Sequence, residues 1–193
     1  MNDLPAIALI EFRSVAAGAF ATDAMVKQAD LRLFEAGTVQ PGKYLVLIGG
    51  LTANVEACHR AGIRAGAPEI IDDVLLADAH ASVVAAIRGT RDTAPGDSVL
   101  TLETSTTPAI VRAADAAVKG SRTRLAELRL ADGLGGKGIA WLLGERADVE
   151  AAADIAASVL AGRPGTLCHS IISRVHEDVA RRMATSTRFD AAG

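Results

Sequence analysis

The chain has 193 residues and a formal net charge of −3, with acids and bases interspersed, which leaves no basic footprint for nucleic acid. Aromatic residues are only 3%, too few for base-stacking platforms, and the longest apolar runs, about eight residues, fall far short of the roughly 20 a membrane helix needs. Two cysteines and no charged-then-apolar signal pattern at the start lead us to expect a protein of a reducing cytosol rather than a disulfide framework.

The elements follow in chain order. "AIALIEF" (6–12) is an apolar run of strand length. Ala17, Phe20, Ala21, Ala24 and Met25 recur at helical spacing and leave Asp23 and Lys27 on the polar side. "LRLFEAG" (31–37) alternates as a strand, and Gln40-Pro41-Gly42-Lys43 is turn chemistry before the buried strand "YLVLI" and its Gly-Gly stop. A helix is expected over 52–65, a strand over 69–77 and a short helix from His80. The remainder reads the same way: strand 98–103, helix 108–119, strands 124–131 and 137–143, helix 147–160, strand 166–173 and a short helix from His176. The order β-α-β-β-α-β plus a terminal helix, twice, predicts an α+β protein of ferredoxin-like type, with helices on one face of an antiparallel sheet.

The two halves also share residues. Glu11 matches Glu103 at an offset of 92, and "DAMVK" (23–27) matches "DAAVK" (115–119) at the same offset. Lys43 matches Lys137 and "ANVEA" (53–57) matches "ADVEA" (147–151) at 94, and His80 matches His176 at 96. Ordered matches whose offset grows only in small steps are the mark of a tandem duplication. The expected domains are 4–89 and 98–184, joined by a polar linker at 90–97, with 185–193 as a disordered tail. Half of the residues are hydrophobic, many of them alanine, which hints that apolar surface is hidden in an obligate oligomer.

Several motifs carry less than they suggest. "GLGGKG" (133–138) satisfies G-x-G-x-x-G, but it runs into a strand rather than opening a helix, so it reads as a hairpin loop. Cys58-His59 and Cys168-His169 look like metal ligands, yet adjacent side chains diverge on helices and strands alike, and the pairs do not match in the repeat. No metal site is expected. His80 and His176 each open a short helix after a strand, with no repeated nucleophile or carboxylate beside them. They read as junction-fixing hydrogen-bonders rather than catalysts. Asp23–Lys27 and Asp115–Lys119 are i,i+4 pairs, worth about 0.2–0.5 kcal/mol each on an isolated helix.

Taken together, an opening "LIE" strand, "DAMVK", a glycine turn, a strand ending in glycine, "A-x-V-E-A" and a strand leading into "SRVH" resemble the bacterial microcompartment (BMC) shell-protein domain over about residues 6–183. Two unpermuted copies resemble the tandem-domain class of that family. The resemblance implies a structural protein rather than an enzyme: a homotrimeric, pseudohexameric tile in the shell facets of a microcompartment in the bacterial cytoplasm. Its implied partners are hexameric and pentameric shell proteins, with neither nucleic acid nor membrane among them. It also implies tile-edge roles for Lys27, Lys119, His80, Arg174 and His176, and an axial pore lined by Gln40, Pro41, Gly42, Leu134, Gly135 and Gly136, with Pro108 and Ile110. The first copy reads "ADAH" and lacks the arginine of "SRVH", so the edges are expected to differ. Gln, Pro and Leu in the pore loops depart from the family's small polar set. In a tandem relative, a cysteine after the first strand of the second domain holds an iron–sulfur cluster. Here that segment is "TSTTPAIV", with Ile110 at the matching place, so no cofactor is expected. A pore-centred metal-cluster carrier and a ferredoxin-like small-molecule-binding protein are the competing readings.

Overall fold

The computed structural model describes residues 4–188. The first half runs β1 (Ala6–Phe12), α1 (Val15–Val26), β2 (Leu33–Val39), β3 (Lys43–Gly50), α2 (Thr52–Gly66), β4 (Ile70–Leu76) and α3 (Ala81–Ile87). The second runs β5 (Ser98–Thr104), α4 (Thr107–Gly120), β6 (Arg124–Leu130), β7 (Gly138–Gly144), α5 (Arg146–Leu160), β8 (Leu167–Ser173) and α6 (Glu177–Thr185). Each half is a four-stranded antiparallel sheet, in the orders β2-β3-β1-β4 and β6-β7-β5-β8.

Helix starts follow local chemistry. Ser14 accepts the Ala17 amide at 3.2 Å to begin α1. Pro108 lies in the first turn of α4, where its missing N–H costs nothing. In α2, Gly62 lets the helix approach α1, because a β-carbon there would meet Met25 Sδ at 2.6 Å and Ile10 Cδ1 at 2.8 Å. The α1–α2 layer covers Ala8, Ile10 and Phe12 of β1. The opposite face of the first sheet, with Ile7, Leu9, Leu47 and Val74, joins α3 and the α4-centred interior of the second half in one apolar cluster. The core therefore runs across the domain boundary.

The expected linker is held down. Asp92 donates its amide to the Ala126 carbonyl at 2.9 Å, and Arg124 pairs with Asp92 and donates to the carbonyls of Ala94 and Pro95. Of the expected tail, 185–188 is described: Thr187 donates to Glu127 at 2.8 Å, and Arg182 donates to the Arg188 carbonyl at 2.7 Å. Residues 189–193 lie outside the described residues.

Candidate functional site

Two features are built by the duplication: a seam between the halves and a cluster of two loops at one end of it. The seam forms because α4 packs on β4 and β1. At its loop end the Thr107 amide donates to Glu11 Oε2 at 2.7 Å, while Glu11 Oε1 takes Lys43 Nζ at 2.5 Å. Glu11 is fully buried, so these two donors are what makes its charge tolerable. At the centre Thr106 donates its hydroxyl to Asp72 at 2.5 Å, and Arg112 lies 3.8 Å from Asp72 while donating to the Asp73 carbonyl. Burial pushes the Asp72 carboxyl above its ordinary range, and burial likewise lowers the Arg112 guanidinium. Asp73, on the other face of β4, is held below its ordinary range chiefly by its hydrogen bond with His59, at 2.8 Å. At the far end the His80 amide donates to Asp115 at 2.8 Å, and Lys119 bridges Asp115, at 2.6 Å, and the Asp78 carbonyl. The duplicated "DAAVK" is thus a clamp between domains as well as a helix-surface pair.

The loop cluster lies at the opposite end of α4. Gln40, Pro41 and Gly42 are exposed, and Gly42 takes the positive φ of 88° that the turn requires. Gly136 of the second loop abuts them: a β-carbon on it would lie 2.9 Å from the Gln40 carbonyl oxygen and from Pro41 Cδ. Gly135 is exposed and Leu134 half-buried. The "GLGGKG" segment is the loop from β6 to β7, not the start of a helix. Pro108 and Ile110, expected at the pore, are corrected: both are buried, and Ile110 packs under Gly138 inside the second domain. Helical register turns Ile110 inward against Gly138 of β7, and Pro108 is buried at the start of α4.

The histidines cap helices. His80 Nδ1 accepts the Ser82 amide at 3.3 Å and His176 Nδ1 the Asp178 amide at 3.2 Å, the same geometry in both copies. Lys27 pairs with Asp23 at 2.5 Å on an exposed surface, and Arg174 is exposed with a φ of 52°. Cys58 is buried, whereas Cys168 and His169 are exposed on β8. Among the described residues no three His, Cys, Asp or Glu side chains gather as a metal site requires, and no helix is long and apolar enough to cross a membrane. Sequence reasoning missed Asp72, Thr106 and Arg112. The signal available was "DD" (72–73) in the middle of an otherwise apolar strand.

Comparison with known proteins agrees with this doubled geometry. Residues 6–89 and 98–175 each match the family model of the BMC domain. The chain belongs to the BMC-domain family. It is 36% identical over 179 residues to the bacterial microcompartment shell protein PduT of Citrobacter freundii, a match spanning 92% of this chain and 97% of that protein. A microcompartment protein from Desulfitobacterium hafniense DCB is 33% identical, with a TM-score of 0.78 over 92% of this chain and 98% of that one. A fused permuted hexameric shell protein of the RMM microcompartment shares the fold, with a TM-score of 0.58 at 24% identity over 81% of this chain and 84% of that one. Both matched regions of this tandem BMC chain contribute to the seam: the first includes β1, β4 and His80, and the second includes α4.

Proposed function

We propose that three copies of this chain close into a pseudohexameric tile of a microcompartment shell, with the seam between its own two domains repeated between chains. The role is structural rather than enzymatic, as for its shell-protein relatives. The observation that carries the trimer is a mismatch between repeat mates. Val118 of α4 is 8% exposed and its mate Val26 of α1 is 41%; Val83 of α3 is 0% exposed and its mate Val179 of α6 is 44%. Leu125 of β6 and Phe34 of β2 occupy equivalent places opposite β7 and β3, yet are 6% and 46% exposed. The buried members, Val118, Val83 and Leu125, all belong to the apolar cluster that the two domains share. A second copy supplying its β8 side to α1, and its α6 to β2, covers the exposed members in the same way. Such a head-to-tail interface gives a ring when the rotation closes.

In that ring the seams run outward from the axis. Gln40, Pro41, Gly42, Leu134, Gly135 and Gly136 line the centre, supported by the contact of the two loops in the protomer. Lys119 stands twelve residues along α4 from Thr107, about 18 Å at helical rise. Lys27, Lys119, His80, Arg174 and His176 then mark the outer edge, where tiles meet one another and other hexameric and pentameric shell proteins. The tile belongs in the shell, and the bacterial cytoplasm is the compartment that suits it. Light scattering at micromolar concentration tests the ring: a mass of about 60 kDa is expected for a chain of 19.8 kDa, and a monomer or dimer overturns it. Negative-stain microscopy of concentrated protein should show sheets.

A further inference from the structure

The ring reading says that a second copy meets α1 and β8; the chemistry of that contact differs from the seam inside the chain, and the difference can be read from strand register. Ile10 faces Asp73 and Glu11 faces Asp72 across β1 and β4, whereas Leu102 faces His169 and Glu103 faces Cys168 across β5 and β8. Asp72 is therefore replaced by Cys168 and Asp73 by His169. On the helices, Ser14 and Thr106 hold the same N-cap position, so Arg112 is replaced by Phe20 and Thr107 by Val15. The ends of the seam keep their partners: Glu103 stands for Glu11, Asp23 and His176 for Asp115 and His80, and Lys27 for Lys119. The centre changes most, from Thr106, Asp72 and Arg112 to Ser14, Cys168 and Phe20.

We infer, on the ring reading above, that Phe20 together with the Cys168, Ser170 and Ile172 face of β8 is a dedicated chain-to-chain seam, and that its occupant is a second copy of this chain. Phe20 is 68% exposed in the protomer and Ile172 is 41% exposed, large apolar groups that their own chain leaves open to solvent. In the ring, Phe20 of one protomer lies on Cys168 of the partner subunit, where Arg112 lies over Asp72 within the chain. The physical logic separates the two seams. The internal one is tethered by residues 88–97, so its high effective concentration offsets the desolvation of a buried guanidinium and carboxylate. The external one forms between separate molecules, and an aromatic anchor on a desolvated apolar face associates without that penalty. The swap also gives specificity, because an α1 bearing Phe20 leaves Asp72 without its cation and an α4 bearing Arg112 finds no carboxylate on β8.

Four variants of the full chain, built from three substitutions, test this, each at positions exposed or half-buried in the protomer, so folding is not at stake. Thr106 touches Asp72, so Ser14→Cys sets a thiol beside Cys168 of the partner subunit. Under oxidised glutathione its non-reducing gel should show a ladder ending at three chains. Phe20→Arg should weaken association by at least about tenfold, the loss typical of a hot-spot anchor. Adding Cys168→Asp recreates the internal seam's centre and should recover most of that loss, while Cys168→Asp alone should not strengthen the ring. A protein that remains a trimer, with no cross-link in Ser14→Cys and undiminished association in Phe20→Arg, overturns this seam and leaves the ring reading standing. Wild-type protein that scatters as a monomer overturns both.

Discussion

Helices α1 and α4 descend from one ancestral helix, yet they live in opposite surroundings. α4 buries ten of its side chains, including both Ala113 and Ala114 and the carboxylate-bearing Asp115, whereas α1 buries only Gly18, Ala21 and Met25. Their strands repeat the contrast: Asp72 and Val74 of β4 are buried, and Cys168, Ser170 and Ile172 of β8 are exposed. Duplication gave both halves the same elements, but only one of the two interfaces so created can be satisfied inside one chain. In the proposed ring the internal interface is a template for the external one, and residue-by-residue departures from it mark where the two have been given different tasks.

The sharpest way to break this comparison is at the paired glutamates. Glu11→Ala should destabilise the protomer by about 3–5 kcal/mol, since it leaves Lys43 and the Thr107 amide without their buried partner. Glu103→Ala removes only a partly exposed pair with Lys137 and should cost the protomer less than about 1 kcal/mol, while weakening trimer association. Urea denaturation of each variant at a concentration that dissociates the ring separates the two effects. Equal losses would show that the seams do not differ.

A smaller contrast is expected at the terminal helices. Val83→Ala opens space in a closed core and should cost about 1–3 kcal/mol. Val179→Ala should lie within about 0.5 kcal/mol in the isolated protomer and show its effect only in the assembled form.

The pH behaviour of the two aspartates sharpens the seam's centre. The folded carboxyl of Asp72 is raised above its ordinary 3.8, so its contribution is fully present below that value and is lost as pH rises through the folded pKa. Asp73 is lowered, so its contribution is present above 3.8 and is lost as pH falls through its folded pKa. Asp72→Asn should therefore become less damaging as pH rises from acid toward neutrality, and Asp73→Asn more damaging. Thermal melts at a series of pH values check this, and parallel curves for the two variants would contradict it.

The smallest effect on the protomer belongs to the repeated lysines. Lys27→Ala should change protomer stability by less than about 0.5 kcal/mol, as an exposed i,i+4 pair does. Lys119→Ala should cost somewhat more, because Lys119 also donates to the Asp78 carbonyl across the seam. The double variant should still form trimers by size-exclusion chromatography yet fail to form sheets; intact sheets in negative stain would remove both lysines from the tile edge.

The duplication, the element order and nearly every boundary were legible in the sequence, because period, turn residues and caps act over a few neighbours at a time. His80 and His176 show this well: each caps the helix it opens, a job settled within two residues. Ile110 shows the limit. The family resemblance implies a place for it at an axial pore, but helical register against β7 turns it into the core. Pro108 is buried in the same first turn. The seam was the least legible part. Asp72 comes from β4 of one domain, Thr106 and Arg112 from α4 and its N-cap in the other, and they meet only when the two domains pack together. A sequence specifies each element through contacts between near neighbours, whereas the partner of a buried charge is chosen by packing over long separations, and only the tertiary structure decides that.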